Sequence, residues 1–299
     1  MNAGEPARQP ADVLIVGKGL QRNQCVVVAP RCVGKRRCLE PQDLQCNVAS
    51  CASLVVSDLL KRAIENRDGC LWIKLDRADK ANALSVGMME GAKAALERAA
   101  ADGAVRAILL TGAGDKVFSA GADVREKPAD GDVAAHRKRR GGALFALLTG
   151  IMDSPRPVIA VLNGIASGGG AMLALVADAR VAVDTAEVSL PEINLGMATY
   201  PGAAIMLHLG GLALATDLVQ TGRRMPAAEA LSRGLLTSVV PRAELDAEAR
   251  RVAAVFVNKD PAAFAANKRW LNRGLRAALA EARTGMDEHR AAMAAKEKA

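Results

Sequence analysis

Three apolar runs recur along this chain with helix-length segments between them: VRAILLTGA (Val105–Ala113), RPVIAVLNG (Arg156–Gly164) and ARVAVD (Ala179–Asp184). Each is continuously apolar at its centre instead of alternating, as expected for a strand buried on both faces. Parallel neighbours of this kind need a crossover connection, usually a helix. The segment from about Ala134 to Met152 supplies one crossover, and the segment from Gly168 to near Asp178 a second. An earlier run, LWIKLDR (Leu71–Arg77), alternates as a half-buried strand does, and Ser85 is placed to cap a helix from about Val86 to Ala101. The pattern predicts an α/β core with a parallel sheet. From Gly202 onward it turns almost wholly helical, interrupted by the strand-like LLTSVVP (Leu235–Pro241).

These textures divide the chain into an N-terminal extension (1–65), an α/β core (66–241) and a C-terminal helical region (242–299). The extension lacks periodicity, carries the basic knot Lys35-Arg36-Arg37 and is expected to be poorly ordered. All six cysteines (Cys25, Cys32, Cys38, Cys46, Cys51 and Cys70) fall within the first 70 residues. None forms a Cys-x-x-Cys pair and no histidine is nearby, so no metal site is expected. No apolar signal core precedes them, which favours reduced thiols and a cytoplasmic protein. A formal charge of +8 suits an anionic partner, but with 2% aromatic residues base stacking has little material, and no nucleic-acid partner is expected. The uncharged run Pro157–Ala177 has the length of a membrane span. Its three adjacent glycines make a poor helix interior, so it reads as strand, turn and helix, with no membrane partner.

Two small-residue turns occupy equivalent places. VFSAGAD (Val117–Asp123) follows the first buried strand and SGGGAML (Ser167–Leu173) the second, each leading toward a helix. Such turns leave backbone N–H groups unpaired, and a helix N-terminus adds partial positive charge. Two of them facing each other form a clamp for a developing oxyanion.

VFSAGAD, the PVIAVLNGIASGGG run and SLPEINLG (Ser189–Gly196), in that order and spacing, resemble the enoyl-CoA hydratase/isomerase family, the crotonase superfamily. RADKANAL (Arg77–Leu84) and GLLTSVVP (Gly234–Pro241) match as well, so the likeness covers roughly residues 68 to 275. The resemblance implies a spiral of ββα units with a C-terminal helical oligomerisation region, a homotrimer or dimer of trimers, and an acyl-CoA substrate. Coenzyme A then enters as part of the thioester, with no separate cofactor. It also implies an oxyanion hole made by the N–H groups of Ala122 and Gly169.

Family hydratases use two glutamates, one just after the glycine triplet and one in the later Pro-Glu pair. Here the first position is Met172 and the second is Glu192. Adding water asks for two concerted proton tasks, whereas moving a double bond from C3 to C2 needs one base that takes and returns a proton. A lone Glu192 therefore favours isomerisation, with hydration the alternative and a non-catalytic acyl-CoA binder a further one. By the same resemblance Arg77, Asn82, Ala83, Ala120, Asp123, Arg125, Gly168 and Met172 border the substrate. Lys268, on a C-terminal helix, reaches a neighbour's CoA phosphates. The run His136 to Arg140 reads as a solvated helix face, with neutralisation of CoA phosphates the alternative, and Asp178 as a residue that orders a helix end.

Two other classes fit less well. Gly112 and Gly114 in LLTGAG suggest a dinucleotide turn, but Val117 stands where a third glycine is needed. Ser167 lies on a turn before a helix, yet the Gly-x-Ser-x-Gly of a hydrolase elbow is absent, and His136, His208 and His289 lack a partner motif.

Overall fold

A computed structural model of the chain describes residues 64–67, 69–128 and 131–296. Cys25 through Cys51, the basic knot and the expected disorder of the extension lie outside the described residues. Cys70 is buried in a strand.

Two sheets share the core. The larger contains β1 (Ile64–Arg67), β2 (Cys70–Leu75), β3 (Ala107–Gly112), β5 (Val158–Leu162), β7 (Ala179–Val183) and β10 (Ser238–Val240), in that spatial order. All neighbours are parallel except β1 with β2. The smaller sheet orders β4 (Val117–Ser119), β6 (Ile165–Ser167), β8 (Glu187–Ser189) and β9 (Arg224–Pro226), with β9 antiparallel. The chain gives one long strand to the first sheet, one short strand to the second, then a helix, and repeats: β3, β4 and α2 (Val133–Asp153), then β5, β6 and α3 (Gly169–Leu175). This is the expected ββα spiral. Gly164 allows the tight handover from β5 to β6, because a Cβ there would stand 2.0 Å from the Lys116 carbonyl oxygen.

The three apolar runs are β3, β5 and β7, and their central residues Leu109, Ile159, Val161 and Val181 have no exposed surface. Ser85 caps α1 (Val86–Ala101) by accepting from the Met88 N–H at 3.2 Å. The Pro157–Ala177 stretch is β5, β6 and α3, as read from its glycines. A second long apolar segment, α4 (Tyr200–Thr221), breaks at Gly211 (φ 73°) and buries Ile205, Met206 and Leu218 in the core. It is followed by β9, a strand absent from the sequence reading, and by α5 (Ala227–Ser232).

Three C-terminal helices follow: α6 (Leu245–Val257), α7 (Pro261–Leu271) and α8 (Arg273–Lys296). The first belongs to the core itself: α6 packs on β3, β5 and β7 through its buried face, with Ala249 and Ala253 fully covered. The core therefore extends past residue 241. Its other boundary shifts too, since β1 begins at Ile64.

Candidate active site

The two small-residue turns meet. Gly121 crosses the glycine triplet so closely that a Cβ on it would stand 2.8 Å from the Ser167 carbonyl oxygen and 3.0 Å from the Gly169 nitrogen. A Cβ on Gly169 would in turn lie 3.3 Å from the Ala122 nitrogen. Ala122 bridges Leu84 in parallel fashion, but that bridge uses the Gly121 carbonyl and the Asp123 N–H, leaving the Ala122 N–H outside it. Gly169 opens α3, where the first N–H groups have no intrahelical acceptor. Among the described residues neither N–H has a main-chain partner. Two adjacent unpaired donors thus face the same space.

That space is a cavity of about 250 Å³ lined by Ala122, Gly169, Met172 and Glu192, with Leu144 of α2 and Met286 of α8 among its apolar walls. Glu192 stands in the one-turn 3₁₀ segment Pro191–Leu195, directly over the glycine triplet. Its Oε1 is 3.0 Å from where a Cβ on Gly168 would stand. Its Oε2 is buried without a hydrogen-bond partner. Burial pushes the carboxyl above its ordinary range, and the residue's own backbone N–H and the Thr199 hydroxyl oppose this only in part. Thr199 Oγ1 itself closes no hydrogen bond of good geometry. A carboxylate of raised pKa beside two unpaired N–H donors can exchange a proton with a ligand whose oxygen the donors hold.

Met172 is 3% exposed and fills the wall of this cavity, its Cε lying 3.2 Å from the Cβ position of Gly202 at the start of α4. Ala120 also lines the cavity. Arg77, Ala83 and Asp123 gather behind the first turn. Arg77 pairs with Asp123 at 3.0 Å and donates to the Ala83 carbonyl at 2.7 Å. Burial pushes the Asp123 carboxyl up, but the bonds from Arg77 and the Arg125 N–H outweigh it and hold it below its usual value. The Arg125 side chain is exposed.

Two site assignments from the sequence require correction. Asn82 is fully buried and turned inward: its Nδ2 donates to the carbonyls of Ala113 (2.9 Å) and Val117 (2.7 Å), and its Oδ1 accepts from the Arg77 N–H. It shapes the loop behind the first small-residue turn and does not line the cavity that holds Glu192. Lys268 is 4% exposed and pairs with Asp178 at 2.6 Å, while Asp178 also accepts from the Val158 N–H. Burial pushes the ammonium down and the carboxyl up, each toward neutrality. The lysine joins α7 to the start of β5, and its charge is not presented to a phosphate. Asp178 orders the start of β5 in the same way.

The basic run on α2 divides between two faces. Arg139 makes a two-pronged contact with Glu90 at 3.0 and 2.9 Å, as a solvated face would. Arg137 and Arg140 line the cavity, joined by Arg290 from α8. The sequence reading prefers a solvated face for Arg137 and Arg140 and does not single out Arg290, although the Gly141-Gly142 pair inside a helix is a usable signal.

The rival chemistries find little support. Ser167 Oγ hydrogen-bonds Ser189 Oγ at 3.1 Å. The histidines are engaged elsewhere: His136 lies 3.4 Å from Glu126, His289 faces the Tyr200 ring and His208 borders Gly274. Among the described residues no cluster of metal-ligating side chains occurs.

Residues 65–298 match the family model for enoyl-CoA hydratase/isomerase. A carnitinyl-CoA dehydratase from Salmonella typhi is 41% identical over 199 residues, covering 66% of this chain and 75% of the relative. Among solved structures, an enoyl-CoA hydratase from Bacillus anthracis superposes with a TM-score of 0.65 at 31% identity, covering 79% of this chain and 95% of that one. A carnitinyl-CoA dehydratase from Mycobacterium avium 104 gives a TM-score of 0.65 at 31% identity, covering 79% and 91%. With the paired N–H donors, the glutamate above them and the spiral that brings them together, this chain belongs to the enoyl-CoA hydratase/isomerase family and is an acyl-CoA enzyme of crotonase fold.

Proposed function

We propose that this enzyme moves the double bond of a 3-enoyl-CoA thioester into the 2-position, with Glu192 as its single base. The observation that supports this reading is Glu192 sharing the cavity wall with Met172, where family hydratases carry a second glutamate. The Glu192 carboxylate takes a proton from C2. The electron pair moves into the thioester carbonyl, and the resulting dienolate oxygen is held by the Ala122 and Gly169 N–H groups. Each such donor is worth about 3–4 kcal/mol of barrier. The protonated Glu192 then returns its proton to C4, which leaves the double bond between C2 and C3. Protons and electrons balance without a further reactant. Burial suits the carboxyl to this task, since a base of raised pKa binds the proton more firmly in transit.

A second reading is hydration of 2-enoyl thioesters, or its reverse. The specific observation in its favour is the name carnitinyl-CoA dehydratase carried by the relatives at 41% identity. One experiment separates the two: purified enzyme offered 2-enoyl and 3-enoyl thioesters, with hydration and double-bond migration followed independently. Migration without hydration supports the single-base reading. Efficient hydration with no migration overturns it in favour of the second.

The family also argues for a homotrimer or a dimer of trimers. Leu212, Trp270 and Leu271, each about two-thirds exposed or more, offer apolar surface for such contacts.

A further inference from the structure

Among the described residues Glu192 is the cavity's sole carboxylate, and three arginines, Arg137, Arg140 and Arg290, line the same cavity. Arg137 and Arg140 are three residues apart on α2 and so share a face. Arg290 comes from α8 and lies over Gly141. A Cβ on Gly141 would stand 3.4 Å from Arg290 Nη1 and 3.8 Å from Met286 Cε. Gly141 and Gly142 each cost the middle of α2 about 1 kcal/mol relative to alanine. That cost is retained where α8 lays an arginine against the helix.

The internal partners of these groups leave positive charge in excess. Arg140 Nη1 donates to the Asp123 carbonyl at 3.1 Å, a neutral acceptor. Arg290 has a loose contact with Asp287 at 3.6 Å. Arg140 is held below its usual pKa first by burial and then by Arg137, with Arg290 adding to the repulsion and the Glu126 and Asp123 carboxylates opposing it in part. Like charges gathered at a cavity wall repel unless an anion joins them.

The geometry points to an acyl group that carries a carboxylate at its far end, so that the substrate is a mono-CoA thioester of a short dicarboxylic acid. This inference rests on the acyl-CoA reading above and refines its substrate class. With the thioester oxygen at the Ala122 and Gly169 N–H groups, the arginines would receive the other end of the acyl chain. Guanidinium forks match carboxylates in shape as well as charge. A cavity of about 250 Å³ is smaller than the roughly 300–1,000 Å³ of pockets for drug-sized ligands, which favours a short chain. The same wall is unsuited to the quaternary ammonium of a carnitinyl group. Cationic ligands of that kind are held by several aromatic faces, and among the described residues Phe145 is the cavity's sole aromatic one.

The test compares three unreactive thioesters, glutaryl-CoA, pentanoyl-CoA and γ-butyrobetainyl-CoA, by calorimetry on the full-length chain and on Arg140→Gln and Arg290→Gln. Wild type should bind glutaryl-CoA at least tenfold more tightly than pentanoyl-CoA, and γ-butyrobetainyl-CoA most weakly. Either substitution should cut the glutaryl-to-pentanoyl ratio by about tenfold. Equal affinity for glutaryl-CoA and pentanoyl-CoA in wild type overturns the proposal alone. So does an equal loss for both thioesters in the variants, which would assign the arginines to coenzyme A itself. Failure of wild type to bind any of the three overturns the acyl-CoA reading together with this one.

Discussion

The Glu192 carboxylate rests on the bare Cα of Gly168, with Oε1 3.0 Å from where a side chain would begin. Gly168 also has φ 51° and ψ −125°, a backbone region that residues with a Cβ avoid. Two demands thus fall on one glycine: it turns the chain so that Gly169 presents its N–H, and it leaves room for the base. Gly168→Ala should displace both. The expected outcome is a loss of at least about a hundredfold in kcat and about 1–3 kcal/mol in stability. Steady-state kinetics and thermal melts check it, and a folded variant with near-normal kcat would separate Glu192 placement from Gly168.

Gly169→Pro removes one N–H of the proposed oxyanion clamp at a position, the first of α3, where proline is well tolerated. Its Cβ would also approach the Ala122 nitrogen to 3.3 Å, crowding the second donor. Turnover should fall by about a hundredfold or more, while circular dichroism and oligomeric state stay as in wild type. A variant of unchanged structure and near-normal turnover would remove Gly169 from the clamp.

The sequence made the long strands and the two small-residue turns legible because each leaves a local signature. β3, β5 and β7 are continuous apolar runs, and Ser85 announces α1 at its first turn. β4, β6, β8 and β9 span three residues each, too few for any periodicity, so the second sheet emerges only from pairing. Lys268 shows the other limit. A lysine on an amphipathic helix reads as solvated, and nothing local reveals a carboxylate partner 90 residues away. The same holds for Arg290, which reaches the cavity only because α8 folds back along α4.

Lys268→Met tests the corrected role of that lysine. Removing the ammonium leaves Asp178 buried without its ion-pair partner, an arrangement that costs about 3–5 kcal/mol. The melting temperature should drop sharply, while KM for CoA thioesters at a temperature where the variant is folded should change little. Adding Asp178→Asn should recover part of the stability, since the pair is then removed whole. An intact melting temperature with a raised KM would restore the phosphate-binding role.

With Glu192 as the proposed base, its carboxyl sets the acid limb of the reaction. Its carboxyl is raised by burial, and the base must be unprotonated to start, so activity should rise as pH climbs through that raised value. The limb should therefore lie above the roughly 4.3 of an ordinary glutamate. Glu192→Gln should lose the limb and nearly all double-bond migration, with thioester binding largely kept. The pH dependence of kcat/KM measures this directly, and a limb surviving in Glu192→Gln would move the base elsewhere.

Met172→Glu asks whether one carboxylate or two decides the reaction. Met172 shares the cavity wall with Glu192, and its methyl end packs against Gly202, so the wall is apolar at this point. A glutamate there gives the second proton carrier that hydration needs, and its oxygens attract the water that the thioether repels. The two carboxylates then face one cavity, and mutual repulsion raises the pKa of one of them. Hydration relative to migration should increase by about tenfold or more where one carboxylate is ionised and the other still holds the shared proton. The measurement is the product ratio from a 2-enoyl thioester against a 3-enoyl thioester, on protein shown to be folded. An unchanged ratio would mean that residue 172 does not choose between the two reactions, and that the single-base argument must rest on Glu192 alone.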